Sequence, residues 1–187
     1  MTPLEEALVE SVAILDSRSI PYAVIGGLAN AVWGHPRATL DVDLVLWASD
    51  ERIPEVAAAF APSFRALVQE PAAFVSRTRV LPVESRRGVR VDLIWGMLPF
   101  EEQAVGRASP HEIAGHAIRF VTAEDLILYK ISSERKRDQE DVEGVIAAQG
   151  GRLDRPYLDA QVRALSELLE DPDILQRYRN ALDRLHP

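Results

Sequence analysis

Apolar residues recur at helical spacing from about Pro3 to Ser17, where Leu4, Leu8, Val12 and Leu15 share one stripe. Ile20-Pro21 breaks that pattern, and Tyr22-Ala23-Val24-Ile25 reads as a short buried strand closed by Gly26-Gly27. Leu28 to Trp33 fits a short helix stopped by Gly34 and Pro36. Asp41 to Trp47 is an apolar run with acids at its start, and Ser49-Asp50 can cap a helix reaching about Phe60. The middle of the chain is strand-rich. Phe74 to Val83 and Val89 to Trp95 predict a hairpin about Arg86-Arg87-Gly88. After a short helix near Pro99 to Val105, a second pair of strands is expected around Glu112 and from Ala117 to Val121, split by Gly115. From Thr122 the pattern turns helical, with Thr122 and Asp125 marking a helix start and breaks at Gly150-Gly151, Pro156 and Pro172. The expectation is an α+β fold. A mixed sheet of about five strands flanked by helices occupies residues 1–121, and a tail of about four helices, running to Leu185 and packed on that core, occupies residues 122–187.

Composition narrows the class. A chain of 187 residues with 47% hydrophobic and 27% charged residues has the makeup of an ordinary globular protein able to bury a core without staples. The absence of cysteine excludes disulfides and cysteine-based zinc sites and suits a reducing compartment. The N-terminal MTPLEEALVESVAIL carries acids where a signal peptide carries positive charge, and no apolar run approaches the ~18–20 residues of a membrane span. A cytoplasmic location with no membrane partner is expected. A net charge of −8 argues against a broad, nonspecific nucleic-acid surface, which rests on neutralising phosphates. It leaves room for a local basic site. Arg77, Arg79, Arg86, Arg87 and Arg90, and again Arg135, Lys136 and Arg137, form runs that read either as such a site or as solvated surface.

The candidate chemistry lies in carboxylates. Asp41 and Asp43 sit at i and i+2 of a strand, so their side chains leave one face with Cα atoms about 6.5–7 Å apart. Asp92 opens a second apolar strand, Val91-Asp92-Leu93-Ile94-Trp95, and would lie about 5 Å to the side if the two strands pair. Three acids placed so repel one another unless a cation offsets them. Magnesium fits, since it takes oxygen donors from a few carboxylates, waters and substrate phosphates, and three acids also suit two ions about 3.5–4 Å apart. A lone DxD is a common strand-end surface pair; the glycine pair adds to it. Gly26-Gly27 stands between a strand and a helix, where backbone N–H groups face an anion and no Cβ blocks its approach.

The segment VIGGLANAVWGHPRATLDVDLVLW, Val24 to Trp47, resembles the signature of the nucleotidyltransferase fold shared with DNA polymerase β. Within that superfamily it is most similar to AbiEii-type and related toxin-associated nucleotidyltransferases. The resemblance implies transfer of a nucleoside monophosphate from a nucleoside triphosphate to an acceptor hydroxyl, with release of pyrophosphate. It implies that Gly26 and Gly27 hold the triphosphate, that Asp41 and Asp43 hold one or two Mg²⁺ ions, and that Asp92 completes the site. Gly27 departs from the pattern, in which many relatives carry serine. A second match, Glu124 to Lys130 followed by Arg135 to Asp141, resembles the superfamily's helical motif. Lys130, Glu134, Asp138 and Asp141 are spaced as one stripe of a helix. Lys130 is expected at the nucleotide phosphates and Asp138 behind it, against the alternative of a surface ladder of salt bridges; the roles of Arg135 and Arg137 stay open. Arg37 and Thr39 precede the acids as nucleotide-binding candidates, with loop capping as the other reading of Arg37. The acceptor implied by the toxin-associated relatives is tRNA, with a separately encoded antitoxin as partner. An antibiotic adenylyltransferase shares the chemistry, and a non-catalytic nucleotide-binding module is the reading from another class. Trp33, Trp47 and Trp95 are expected in the core or at a pocket rim, and His35, His111 and His116 gather no metal site.

Overall fold

The computed structural model describes residues 1–184, so Leu185, the expected end of the tail, lies outside the described residues. The chain divides into two compact units. One comprises Met1–Leu28 with Ala38–Val121, the other Ala29–Arg37 with the chain from Thr122 onward.

The first unit opens with α1 (Pro3–Ser17). Thr2 and Glu5 cap it reciprocally, Pro3 supplies the preset first φ, and Ala7, Leu8, Ser11, Val12 and Leu15 form its buried stripe. Next come β1 (Tyr22–Val24) and α2 (Gly26–Trp33), whose first residues belong to this unit. They are followed by β2 (Asp41–Leu46), α3 (Ile53–Phe60), β3 (Phe64–Ala66), α4 (Pro71–Thr78), β4 (Val80–Ser85) and β5 (Arg90–Trp95). The unit closes with α5 (Pro99–Arg107), β6 (Ser109–Ile113) and β7 (His116–Phe120).

The strands form one mixed sheet of seven in the order β3-β4-β5-β2-β1-β7-β6, two more than the sequence pattern suggests. Part of the excess is β3, three residues too short to show a period and visible only through its pairing with β4. Residues Phe74 to Thr78, expected in a strand, are helical instead. Pro71 starts that helix, Arg79 at φ 62° ends it, and the strand begins only at Val80. Both expected hairpins form. Gly88 turns the first at φ 75°, and Ala114 and Gly115, both at positive φ, turn the second as a primed two-residue loop does. Strand β2 lies inside the sheet, antiparallel to β1 and parallel to β5. Val42, Leu44, Val45 and Leu46 are accordingly fully buried, and Trp95 and Phe60 are among the largest side chains of this core.

The second unit holds the rest of α2 together with α6 (Ala123–Ile131), α7 (Lys136–Gln149), α8 (Arg155–Leu168) and α9 (Asp173–Asp183). Thr122 caps α6 as expected, taking the Asp125 N–H while its hydroxyl donates to the Asp125 carboxylate at 2.7 Å. Leu126, Ile127, Ile131, Val142, Val145, Leu158 and Val162 are buried in its core.

Candidate active site

The two readings of the sequence motifs fall in different units. In the first unit β2 and β5 run parallel in a register that sets Asp41 beside Arg90 and Asp43 beside Asp92. Residues two apart on a strand share a face, so one face of the pair carries three carboxylates and a guanidinium. Three negative charges against one positive leave a formal charge of −2 on that face. From sequence Arg90 reads only as part of a basic run; the strand register places it among the acids. Its Nε donates to both Asp92 oxygens, at 2.9 and 3.1 Å. That hydrogen bond, then the Asp92 charge, and more weakly the charges of Asp41 and Asp43, raise the guanidinium pKa against the opposing effect of burial. Asp92 is 17% exposed and Arg90 55%, so the ion pair sits at the edge of solvent.

The glycines belong to the same cluster. Gly26 adopts φ +66°, and a Cβ placed there would lie 1.9 Å from Asp43 Oδ2. A Cβ on Gly27 would lie 2.5 Å from Thr39 Oγ1, which itself donates to Asp41 Oδ1 at 2.8 Å. Both positions are therefore glycine because the aspartate and threonine side chains fill the space a Cβ needs. The Thr39 hydroxyl stands where a residue-27 side chain would project, which gives a physical reason for glycine in place of serine. Gly26→Ala should cost about 1–3 kcal/mol of stability, since alanine is strained at this φ, and should displace the Asp43 carboxylate. A thermal melt checks the first effect; an unchanged melting point contradicts it.

The donors are hard oxygens of the kind magnesium takes, and they stand against the first residues of α2, so the residues fit a cation-bound triphosphate. Among the described residues no group of three or more histidine, aspartate or glutamate side chains is arranged to hold a metal ion by itself. Waters and phosphates would have to complete the shell, as magnesium sites ordinarily require.

In the second unit lies a buried polar network. Lys130 Nζ contacts Asp138 Oδ1 at 2.9 Å and Asp141 Oδ2 at 2.7 Å, with all three side chains between 6% and 8% exposed. Arg37 grips Asp141 with two hydrogen bonds, at 3.0 and 2.8 Å, and Asn30 Nδ2 donates to the same carboxylate at 3.1 Å. Ser133 and Arg135 donate to Asp138 Oδ2, each at 2.7 Å. Burial alone would raise both carboxyl pKa values. The hydrogen bonds from Ser133 and Lys130 to Asp138, and from Arg37 and Lys130 to Asp141, outweigh it and hold both below the ordinary range. The spacing of Lys130, Glu134, Asp138 and Asp141 does not belong to one helix, because α6 ends at Ile131 and α7 starts at Lys136. Lys130 meets the two aspartates across that break rather than along a stripe. Sequence reading links Lys130 with Asp138 but misses Asn30, whose burial at 1% exposure gives no sign in the short helical pattern of Leu28 to Trp33.

Strand, glycine turn, helix and paired acids on a mixed sheet define the nucleotidyltransferase class of fold. The chain belongs to the family described as "Nucleotidyltransferase of unknown function (DUF6036)", whose model matches residues 5–182. No curated protein matches the sequence. Among solved structures the chain is similar to ANT(2″)-Ia in complex with adenylyl-2″-tobramycin, with 16% identity over 88% of this chain and 98% of that one and a TM-score of 0.57. It is also similar to the lincomycin-bound lincosamide antibiotic adenylyltransferase LnuA, with 12% identity over 75% of this chain and 95% of that one and a TM-score of 0.52. An antigenic nucleotidyltransferase-like protein from Paracoccidioides brasiliensis is 19% identical over 94% of this chain and 91% of that one, with a TM-score of 0.52. At these identities the likeness is one of fold. Among the described residues no helix is long and apolar enough to cross a membrane.

Proposed function

We propose that the protein transfers a nucleoside monophosphate from a nucleoside triphosphate to an acceptor hydroxyl, with Asp41, Asp43 and Asp92 as the catalytic carboxylates. The observation that carries this reading is the register of β2 on β5, which aligns Asp43 with Asp92 beside the Gly26-Gly27 turn. Asp41 and Asp43 would hold Mg²⁺, which when bound supplies charge neutralisation for the triphosphate and the leaving pyrophosphate. Gly26 and Gly27 admit the phosphates to the backbone N–H groups that open α2. Thr39, already donating to Asp41, orients that carboxylate and offers its hydroxyl oxygen beside Gly27. The acceptor oxygen forms its bond to the α-phosphorus as the bond to the bridging oxygen breaks. Asp92 takes the acceptor's proton, and pyrophosphate carries off the electron pair. Arg90 keeps the acid cluster tolerable by pairing with Asp92 until that carboxylate is needed.

The acceptor proposed is tRNA, following the resemblance of Val24 to Trp47 to toxin-associated nucleotidyltransferases, with an antitoxin protein as the natural partner. Incubation with Mg²⁺ and each α-labelled nucleoside triphosphate, with and without total tRNA, tests both parts. Labelled tRNA and growth arrest on bacterial expression are the expected results. Labelling of an aminoglycoside or lincosamide instead, together with resistance on drug plates, would move the acceptor to a small molecule while preserving the transfer reaction. A melting point raised by Mg²⁺ and ATP with no labelled product from any acceptor would favour a binding module.

A further inference from the structure

Helices α8 and α9 of the second unit pack on each other and flank an open cavity of about 440 Å³. Its walls follow from helical spacing. Arg155, Asp159 and Arg163 succeed one another at i, i+4 and i+8 on α8. Leu175, Tyr178, Arg179 and Leu182 fall at i, i+3, i+4 and i+7 on α9. The buried stripes of the two helices are largely apolar, with Leu158, Val162 and Leu165 on α8 and Ile174, Tyr178 and Ala181 on α9; guanidinium, carboxylate and guanidinium line the more exposed flank of α8.

The charges do not cancel. Asp159 is the single acid among the lining residues, against three arginines. It accepts a 2.6 Å hydrogen bond from the Tyr178 hydroxyl and stands 3.6 Å from Arg155. Arg163 and Arg179 have no ion-pair or hydrogen-bond partner among the described residues. The Arg155 guanidinium lies 5.7 Å from the Tyr178 ring centroid, and its Nε is buried without a hydrogen-bond acceptor. A concentration of positive charge in a chain of net −8 is therefore held in one concave space, with Leu175, Leu182 and Tyr178 as a wall for an organic group. Guanidinium forks match phosphate oxygens two at a time, and the volume falls within the ~300–1,000 Å³ of small-ligand sites.

We propose that this cavity binds an organic phosphate, the phosphate held by Arg155, Arg163 and Arg179 and the organic part lying against Tyr178. The site is independent of the carboxylate cluster of the first unit and does not depend on the transfer reaction. The phosphate can belong to a free metabolite-sized ester or to the 5′ end of an RNA. Titration calorimetry with ribose 5-phosphate and with a 5′-phosphorylated RNA pentamer separates the two sources. Saturable binding of one or both probes to the full chain is expected. Arg163→Ala/Arg179→Ala should weaken it by about tenfold or more, the loss of two charge-assisted contacts. Arg65→Ala/Arg86→Ala, which removes the same charge elsewhere, should change it by less than about twofold. Circular dichroism and melting of the variants confirm that folding is intact. Equal weakening by both pairs, tighter binding of succinate than of either phosphate, or no saturable binding at all overturns the proposal.

Discussion

Asp41→Asn/Asp43→Asn protein will lose nucleotidyl transfer by at least about 10³-fold while keeping its fold, because a bound cation supplies several kcal/mol of charge stabilisation that neutral amides cannot recruit. The substitution is isosteric, and it removes both negative charges opposite Arg90 and Asp92, two of the three on that face. Repulsion within the uncomplexed protein therefore falls, and the variant should melt at or above the wild-type temperature in metal-free buffer. Added Mg²⁺ with a nucleoside triphosphate should raise the melting point of the wild type and leave that of the variant unmoved. Loss of activity accompanied by unfolding would mean that the acids serve the fold instead. Activity retained within about tenfold would remove them from the chemistry.

Lys130→Met should act through stability. Removing the ammonium leaves Asp138 and Asp141 buried with their shared counter-ion gone, a type of change that costs about 3–5 kcal/mol. For a chain of this size that corresponds to roughly 10 °C in melting temperature. The pH dependence carries the same signature. Both carboxyl pKa values are lowered in the folded chain, so the stabilisation they bring is complete above the unfolded carboxylate value of about 4 and is lost as pH falls through the lowered folded values. The gap between wild type and Lys130→Met should be full at neutral pH and close below about pH 4. A gap of equal size at pH 3 and pH 7 would contradict the assignment. Lys130→Arg, which keeps the charge, should recover part of the loss.

What the sequence discloses depends on whether a feature is local. The paired acids of β2, the glycine turn and the cap at Thr122 are local, and each stands where its pattern puts it. The three-residue strand β3 is not, because it exists through its ladder with β4. Phe74 to Thr78 combines aromatic and β-branched residues with a helix-starting proline and two alanines upstream, and the helix signal at Pro71 prevails over strand propensity. Arg90 shows the limit most clearly. As one arginine in a run it looks like solvated surface; two parallel strands in register make it the counter-ion of the acid cluster. Thr39 is legible as a nucleotide-binding candidate beside the acids, but its closeness to the space above Gly27 comes from the return of the chain into β2. The network of Lys130, Asp138, Asp141, Arg37 and Asn30 spans more than a hundred residues of sequence, beyond the reach of any spacing rule.

The most direct measurement is a crystal structure of the protein soaked with Mg²⁺ and a nonhydrolysable nucleoside triphosphate. It should show the cation about 2.0–2.1 Å from oxygens of Asp41 and Asp43 and the phosphates against the N–H groups of Gly26 and Gly27. A triphosphate bound away from those glycines, with Asp41 and Asp43 free of metal, would contradict the account.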